Sequence, residues 1–150
     1  MMKAGYAKSY RELIVYQRSR KLAQEIFELS RSFPREEMYS LTDQMRRSSR
    51  SIGAQIAEAW GKRNYEKHFI SKLSDADSET QETRHWIEVS QDCGYVSTSK
   101  ASGLLLTCDE IGRMLGSMIQ KAALFCPKDL GISESLAEYL IPTHNQDSEY

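Results

Sequence analysis

A chain of 150 residues falls within the length of one domain. At that size folding hides roughly 68–70% of the unfolded surface, enough for a core without disulfides or a structural metal. Lys and Arg number 20 against 21 Asp and Glu, a formal charge of −1, which lacks the basic excess of a dedicated nucleic-acid domain. No apolar run approaches the ~18 residues of a membrane span, and Met1-Met2-Lys3-Ala4-Gly5-Tyr6 contains no apolar signal segment. A cytoplasmic chain with no membrane contact is therefore expected. Cys93, Cys108 and Cys126 form no CxxC pair, and their odd number fits reduced thiols.

The first helical segment shows apolar steps of 4-3-4-3-4 through Val15, Ser19, Leu22, Ile26, Leu29 and Phe33. A second stripe, Leu13, Tyr16, Arg20, Ala23 and Phe27, runs beside it. Pro34 disfavours helix at Phe33 and ends the segment. Ser40 is expected to cap the second helix, with Asp43 in its first turn. Leu41, Met45, Ser48, Ile52, Ile56 and Ala59 hold that helix's inward face, and Gly61 is the expected stop.

Asn64 is the expected cap of the third helix, whose Phe69, Leu73, Ala76, Thr80, Thr83 and Ile87 keep the same rhythm until Gly94 supplies a left-handed C-cap. Ser97 or Ser99 opens the fourth, with Leu104, Cys108, Ile111, Leu115, Met118 and Ala122 facing inward. Strand and hairpin signals are missing. The pattern predicts an all-α, antiparallel up-down-up-down four-helix bundle with helices near 11–32, 41–60, 64–93 and 98–125. It leaves 1–10 as an N-terminal extension and 126–150 as a C-terminal tail. Ser133 to Leu140 is long enough for two helical turns, and 143–150 is expected to fray.

Leu41-Thr42-Asp43-Gln44-Met45-Arg46-Arg47-Ser48-Ser49-Arg50-Ser51-Ile52-Gly53-Ala54-Gln55-Ile56-Ala57-Glu58 resembles the second helix of the four-helix-bundle proteins encoded in bacterial 23S rRNA intervening sequences. Leu13-Ile14-Val15-Tyr16-Gln17, Phe33-Pro34 and Cys93-Gly94-Tyr95 are also similar to that family, so the likeness spans about residues 10–125. Where the family often has Ala-Ala after the arginines and Ser-Ile-Pro-Ser-Asn, this chain has Ser48-Ser49 and Ser51-Ile52-Gly53-Ala54-Gln55. A contact made by that asparagine is not carried over. The resemblance implies a ring-forming bundle, a homopentamer, with no established enzymatic activity. An RNA-linked role is implied chiefly by where such genes sit.

The charges are unevenly placed: residues 1–63 hold 13 basic and 7 acidic side chains, a net +6, and residues 64–150 hold 7 and 14, a net −7. The basic cluster Arg46, Arg47 and Arg50, with Lys62 and Arg63 beyond it, is the candidate nucleic-acid or anion contact. Arg46 and Arg50 lie one turn apart with no acid at i±4, so they call for a compensating group. Phosphate is one, because guanidinium binds it bidentately and counterions are released. The acidic run Asp75, Asp77, Glu79 and Glu82 on the third helix is another, and pairing within or between subunits is the preferred reading.

Glu79-x-x-Glu82-x-x-His85 contains one Glu-x-x-His step, but a carboxylate-bridged di-metal bundle needs two such helices plus two further Glu. Neither a metal site nor any other cofactor is expected. His68 and His144 stand alone, and no nucleophile elbow, P-loop or dinucleotide fingerprint is present. A non-enzymatic binding role follows, with a small metal-dependent enzyme on Glu79, Glu82 and His85 as the rival from another class. Gly112-x-x-x-Gly116 implies close backbone approach, read first as packing within the bundle and second as a contact between subunits.

The apolar surplus outside one stripe per helix marks Leu13, Tyr16, Phe27, Trp60, Tyr65 and Trp86 as the candidate oligomer interface. The expected protein is a homo-oligomeric interaction scaffold, its further partner structured RNA or another protein.

Overall fold

Each of the four apolar stripes is buried along one helix face, and together they make a single core. In the computed structural model, which describes residues 7–127 and 138–142, the helices are α1 (Ile14–Ser30), α2 (Asp43–Gly61), α3 (Glu66–Asp92) and α4 (Thr98–Gln120). No strand occurs among the described residues, and none of their helices is long and apolar enough to cross a membrane. Successive helices run in opposite directions: α1 and α3 each pack against α2 and α4. The expected inward residues of α2, α3 and α4 are all buried, and only Leu29 of the first α1 stripe is half-buried.

Seven of the eight buried Ser and Thr hydroxyls among the described residues bond a carbonyl of their own helix. Ser19 donates to the Tyr16 carbonyl at 2.7 Å, Thr80 to Ala76 at 2.8 Å and Ser90 to Trp86 at 2.7 Å. Such back-bonding removes most of the cost of burying a polar group. Thr83 likewise donates to the Glu79 carbonyl at 2.8 Å, and its oxygen lies 3.0 Å from that of Ser48, which links α3 to α2.

Two expected caps are corrected. The chain is already wound after Pro34, through a 3-10 turn at Arg35–Glu37 and a π turn at Met38–Thr42, so it enters α2 with Thr42 in helical conformation. No extended cap residue is left for Ser40 to be; its hydroxyl bonds the Glu37 carboxylate at 3.2 Å instead. At α3 the extended residue is Tyr65, not Asn64, and it makes no side-chain cap bond. Gly61 is the last residue of α2 rather than a left-handed stop.

Other ends behave as the residue types require. Gly94 has φ +76°, and the Tyr95 and Gly94 amides donate to the Ser90 and Gln91 carbonyls at 3.0 and 2.9 Å, a Schellman closure of α3. Ser97 caps α4 by accepting from the Lys100 amide at 3.1 Å. α1 begins at Ile14, three residues later than expected, because Ser9 caps a separate 3-10 turn at Tyr10–Glu12 and Leu13 is extended.

The tail contributes to the core. Tyr139 is buried, its ring edge-on to Phe125 at 5.2 Å and its hydroxyl 2.5 Å from Ser117 Oγ. The Ile141 amide donates to the Glu12 carbonyl at 2.9 Å, tying this segment to the 3-10 turn that precedes α1. The helical turns expected at Ser133 to Leu140 fall mostly outside the described residues, as do 143–150.

Candidate binding face on the first two helices

The helical repeat of about 100° per residue divides the arginines of α2 between two neighbours. Arg47 turns toward α3, where its guanidinium lies 3.7 Å from the Glu82 carboxylate. Arg46 and Arg50 turn toward α1, where both lie over the ring of Phe27, at 4.9 and 5.5 Å from its centroid. Arg46 Nε also donates to Ser30 Oγ at 2.8 Å. Neither arginine makes an ion pair with a described residue. Cation–π contact positions a guanidinium without neutralising its charge.

Within the chain the expected acidic compensation therefore reaches one of the three arginines. The rest of that acidic run is engaged differently. Lys72 bridges Glu58 of α2 at 2.9 Å and Asp75 at 3.7 Å, which lowers the Glu58 carboxyl and raises the Lys72 ammonium relative to their ordinary values. Burial, reinforced by the hydrogen bond and negative charge of Glu82, raises the Glu79 carboxyl. Its Oε2 and the Gln55 Oε1 are buried without a hydrogen-bond partner.

Lys62 and Arg63 do not extend the cluster. They follow Arg50 by more than three helical turns, on the order of 18 Å along the axis. Arg63 folds back at the end of α2, donating to the Trp60 carbonyl at 2.9 Å with its guanidinium 4.2 Å over the Trp60 ring.

Among the apolar interface candidates, Leu13 and Trp60 are 1% and 7% exposed and belong to the core of the chain. Tyr16, Phe27 and Trp86 are half-buried, and only Tyr65 stands fully on the surface. Tyr39 and Leu106, 85% and 57% exposed, are surface residues that the apolar stripes did not flag.

Glu79 and Glu82 are neighbours, but His85 does not join them. Glu82 faces Arg47, the Glu79 oxygen is turned inward, and the His85 ring sits edge-on to Trp86 at 4.8 Å. Among the described residues no group of three His, Cys, Asp or Glu side chains is placed to hold a metal ion. Burial pushes the Cys108 thiol up to about 11, so it is neutral and inert in the core. The expected close approach at Gly112 and Gly116 is absent among the described residues. A methyl at Gly112 would meet only the Asp77 carboxylate at 3.6 Å, and one at Gly116 would meet nothing within 4 Å. The tight crossing is at Gly53, where a Cβ would stand 3.2 Å from Ser19 Oγ.

That crossing floors a groove of about 580 Å³ between α1 and α2. Tyr10 and Tyr16 wall one part, edge to face at 4.9 Å, and Arg20 and Arg50 bring charge to it. A second hollow on the outer face of α2 adjoins it, lined by Arg46, Arg47 and Arg50 with Asp43, Ser51 and Ala54. Tyr10 completes the face, and of the second stripe of α1, read in sequence as a partner surface, Tyr16, Arg20 and Ala23 line the groove while Leu13 is buried in the core.

The arrangement of α2 arginines over a small-residue helix falls within the part of the chain, residues 11–117, that matches the family model described as 23S rRNA-intervening sequence protein. The chain belongs to this family. A solved structure of a protein of unknown function from the S23 ribosomal protein family of Bacteroides thetaiotaomicron is similar to it, with 30% sequence identity and a TM-score of 0.65. The match covers 71% of this chain and 96% of that one. No curated protein matches the chain. For this family member the likeness coincides with the described bundle and stops short of the tail that Tyr139 anchors.

Proposed function

We propose that this chain is a non-enzymatic interaction scaffold that assembles with copies of itself in the cytoplasm and contacts structured RNA through the α1–α2 face. The observation that carries this reading is the pair Arg46 and Arg50, held over Phe27 without a carboxylate. Such guanidiniums are pre-positioned cations whose charge is available to phosphate oxygens. Arg47 flanks them with its charge shared with Glu82, and Lys62 and Arg63 form a separate basic point at the far end of α2.

Self-assembly is supported by exposed Tyr39, Tyr65 and Leu106, and by the opposite charge surplus of the two halves of the sequence. A closed ring, a pentamer by family resemblance, would juxtapose unlike faces of neighbouring copies. The same exposed side chains favour the second reading, a scaffold for a protein partner with no RNA contact.

The test is binding of purified protein to a structured RNA across a salt series, alongside the Arg46→Ala/Arg47→Ala/Arg50→Ala variant at verified oligomeric mass. Affinity should fall steeply with salt, and the variant should lose it and flatten the log–log slope by about one per phosphate contact removed. Salt-insensitive or absent binding would transfer the role to a protein partner. A variant that dissociates would assign the arginines to the assembly.

A further inference from the structure

We infer that the α1–α2 groove is a binding site for a single unstacked nucleotide, its base against Tyr10 and Tyr16 and its phosphate on Arg20 and Arg50. This rests on the reading of the same face as a phosphate-contacting surface and specifies what the face holds. The volume of about 580 Å³ lies inside the range of roughly 300–1,000 Å³ that small-ligand sites occupy. Its depth comes from residue size: Ser19, Ala23, Ser49, Gly53, Ala54 and Ala57 make the floor, with Gln24 beside the two arginines as the other long side chain that lines it.

The chemistry of the walls selects the occupant. Among the described residues no Asp or Glu lines the groove, and neither Arg20 nor Arg50 has an ion-pair partner. Each is instead held by a ring: Arg20 stands 6.0 Å from the Tyr16 centroid and Arg50 5.5 Å from that of Phe27. The floor hydroxyls offer little to an anion, since Ser19 spends its proton on the Tyr16 carbonyl and Ser49 on that of Arg46, at 3.1 Å. Anion binding thus falls to the guanidiniums. The half-buried tyrosine pair, its rings at 76° to one another and with Arg11 against that of Tyr10, adds an aromatic wall. A ligand matching both features is anionic at one end and planar at the other, as a nucleoside monophosphate is. Base–aromatic stacking tolerates any base, because every base has a π-face.

Either a free nucleotide or one residue of a single strand has this chemistry, and the test separates them. Adenosine 5′-monophosphate, adenosine and inorganic phosphate are titrated calorimetrically into the full chain and into the Arg20→Gln and Ala54→Gln variants. Both substituted residues are exposed, and melting curves check that the fold is kept. The nucleotide should bind at least tenfold more tightly than adenosine or phosphate alone. Arg20→Gln should weaken it at least fivefold, and Ala54→Gln should do the same by filling the groove without changing its charge.

A five-residue oligoadenylate that binds tenfold better than the mononucleotide assigns the site to a strand; equal affinity assigns it to free nucleotide. A nucleotide that binds no better than phosphate, or is indifferent to either substitution, overturns the proposal. So does an Ala54→Gln variant that loses oligomeric mass at unchanged nucleotide affinity, because the groove then belongs to a second copy. Structured RNA bound by a chain that ignores the nucleotide removes the groove alone. The converse result removes the RNA reading and keeps a nucleotide site.

Discussion

The two flanks of α2 carry similar residues and use them in opposite ways. Toward α3, charge meets charge: Arg47 faces Glu82, Lys72 bridges Glu58 and Asp75, and Ser48 touches Thr83 beneath them. Toward α1, Arg46 and Arg50 meet an aromatic ring, and small residues leave a groove beside it. Arginine content alone does not mark a binding surface. What matters is whether the facing helix supplies a carboxylate or a ring, because only the second leaves the charge available.

The largest effect should come from the closed flank. Leu73→Ala in α3, fully buried, should cost about 2–5 kcal/mol in denaturant unfolding. Phe27→Ala on the open flank, half-buried, should cost less while releasing Arg46 and Arg50. Equal losses at the two positions would erase the distinction between a packed seam and an open face.

Gly53→Leu probes the boundary between them. Its side chain must enter a space where the Cβ alone already stands 3.2 Å from Ser19 Oγ, so a loss of about 1–3 kcal/mol is expected together with closure of the groove. Gly116→Ala should do the reverse. With nothing within 4 Å of its Cβ, it should stabilise the chain by about 0.5–1 kcal/mol through helix propensity. If it lowers the oligomeric mass instead, α4 packs against another copy at that glycine.

The last effect is defined by its sign. Burial and Glu82 hold the Glu79 carboxyl above its ordinary value, so ionising it opposes folding. That opposition is absent below the unfolded carboxylate pKa and grows as pH rises through the folded one. Glu79→Gln should therefore be stabilising at neutral pH and close to neutral in acid, read as the difference in urea midpoint between wild type and variant across pH 3–8 (about the carboxylate range and above). A variant stabilised equally at all pH values would show that the seam does not perturb this group.

The bundle was legible in the sequence because burial itself imposes the 3-4 spacing. Leu41 through Ala59, Phe69 through Ile87 and Leu104 through Ala122 all landed inward. Helix starts were less legible. Ser40 and Asn64 have the right chemistry for caps, but the backbone before α2 is already helical and Tyr65 holds the extended position before α3. Glycine spacing misled in a similar way. Among the described residues Gly112 meets only the Asp77 carboxylate and Gly116 meets nothing, whereas Gly53 crosses Ser19, a contact foreshadowed by small residues at Ser49, Ala54 and Ala57 on one helix. The division of the arginines also followed from the helical repeat, since residues 46 and 50 share a face that 47 does not. That their facing residue would be Phe27 required the packing of α1. Tyr10 lies before α1, in a 3-10 turn that no period marks, so its place in the groove was invisible without the fold.

The most direct test of the open-face account compares two variants at matched oligomeric mass: Arg46→Ala/Arg50→Ala on the ring-held flank and Arg47→Ala/Lys72→Ala on the paired flank. Each removes two positive charges from neighbouring surfaces. Measured against a structured RNA at several salt concentrations, the first should abolish binding and flatten the salt slope, while the second should leave both near wild type. Equal losses from the two variants would mean that net charge alone attracts the RNA and that the α1–α2 face has no special role.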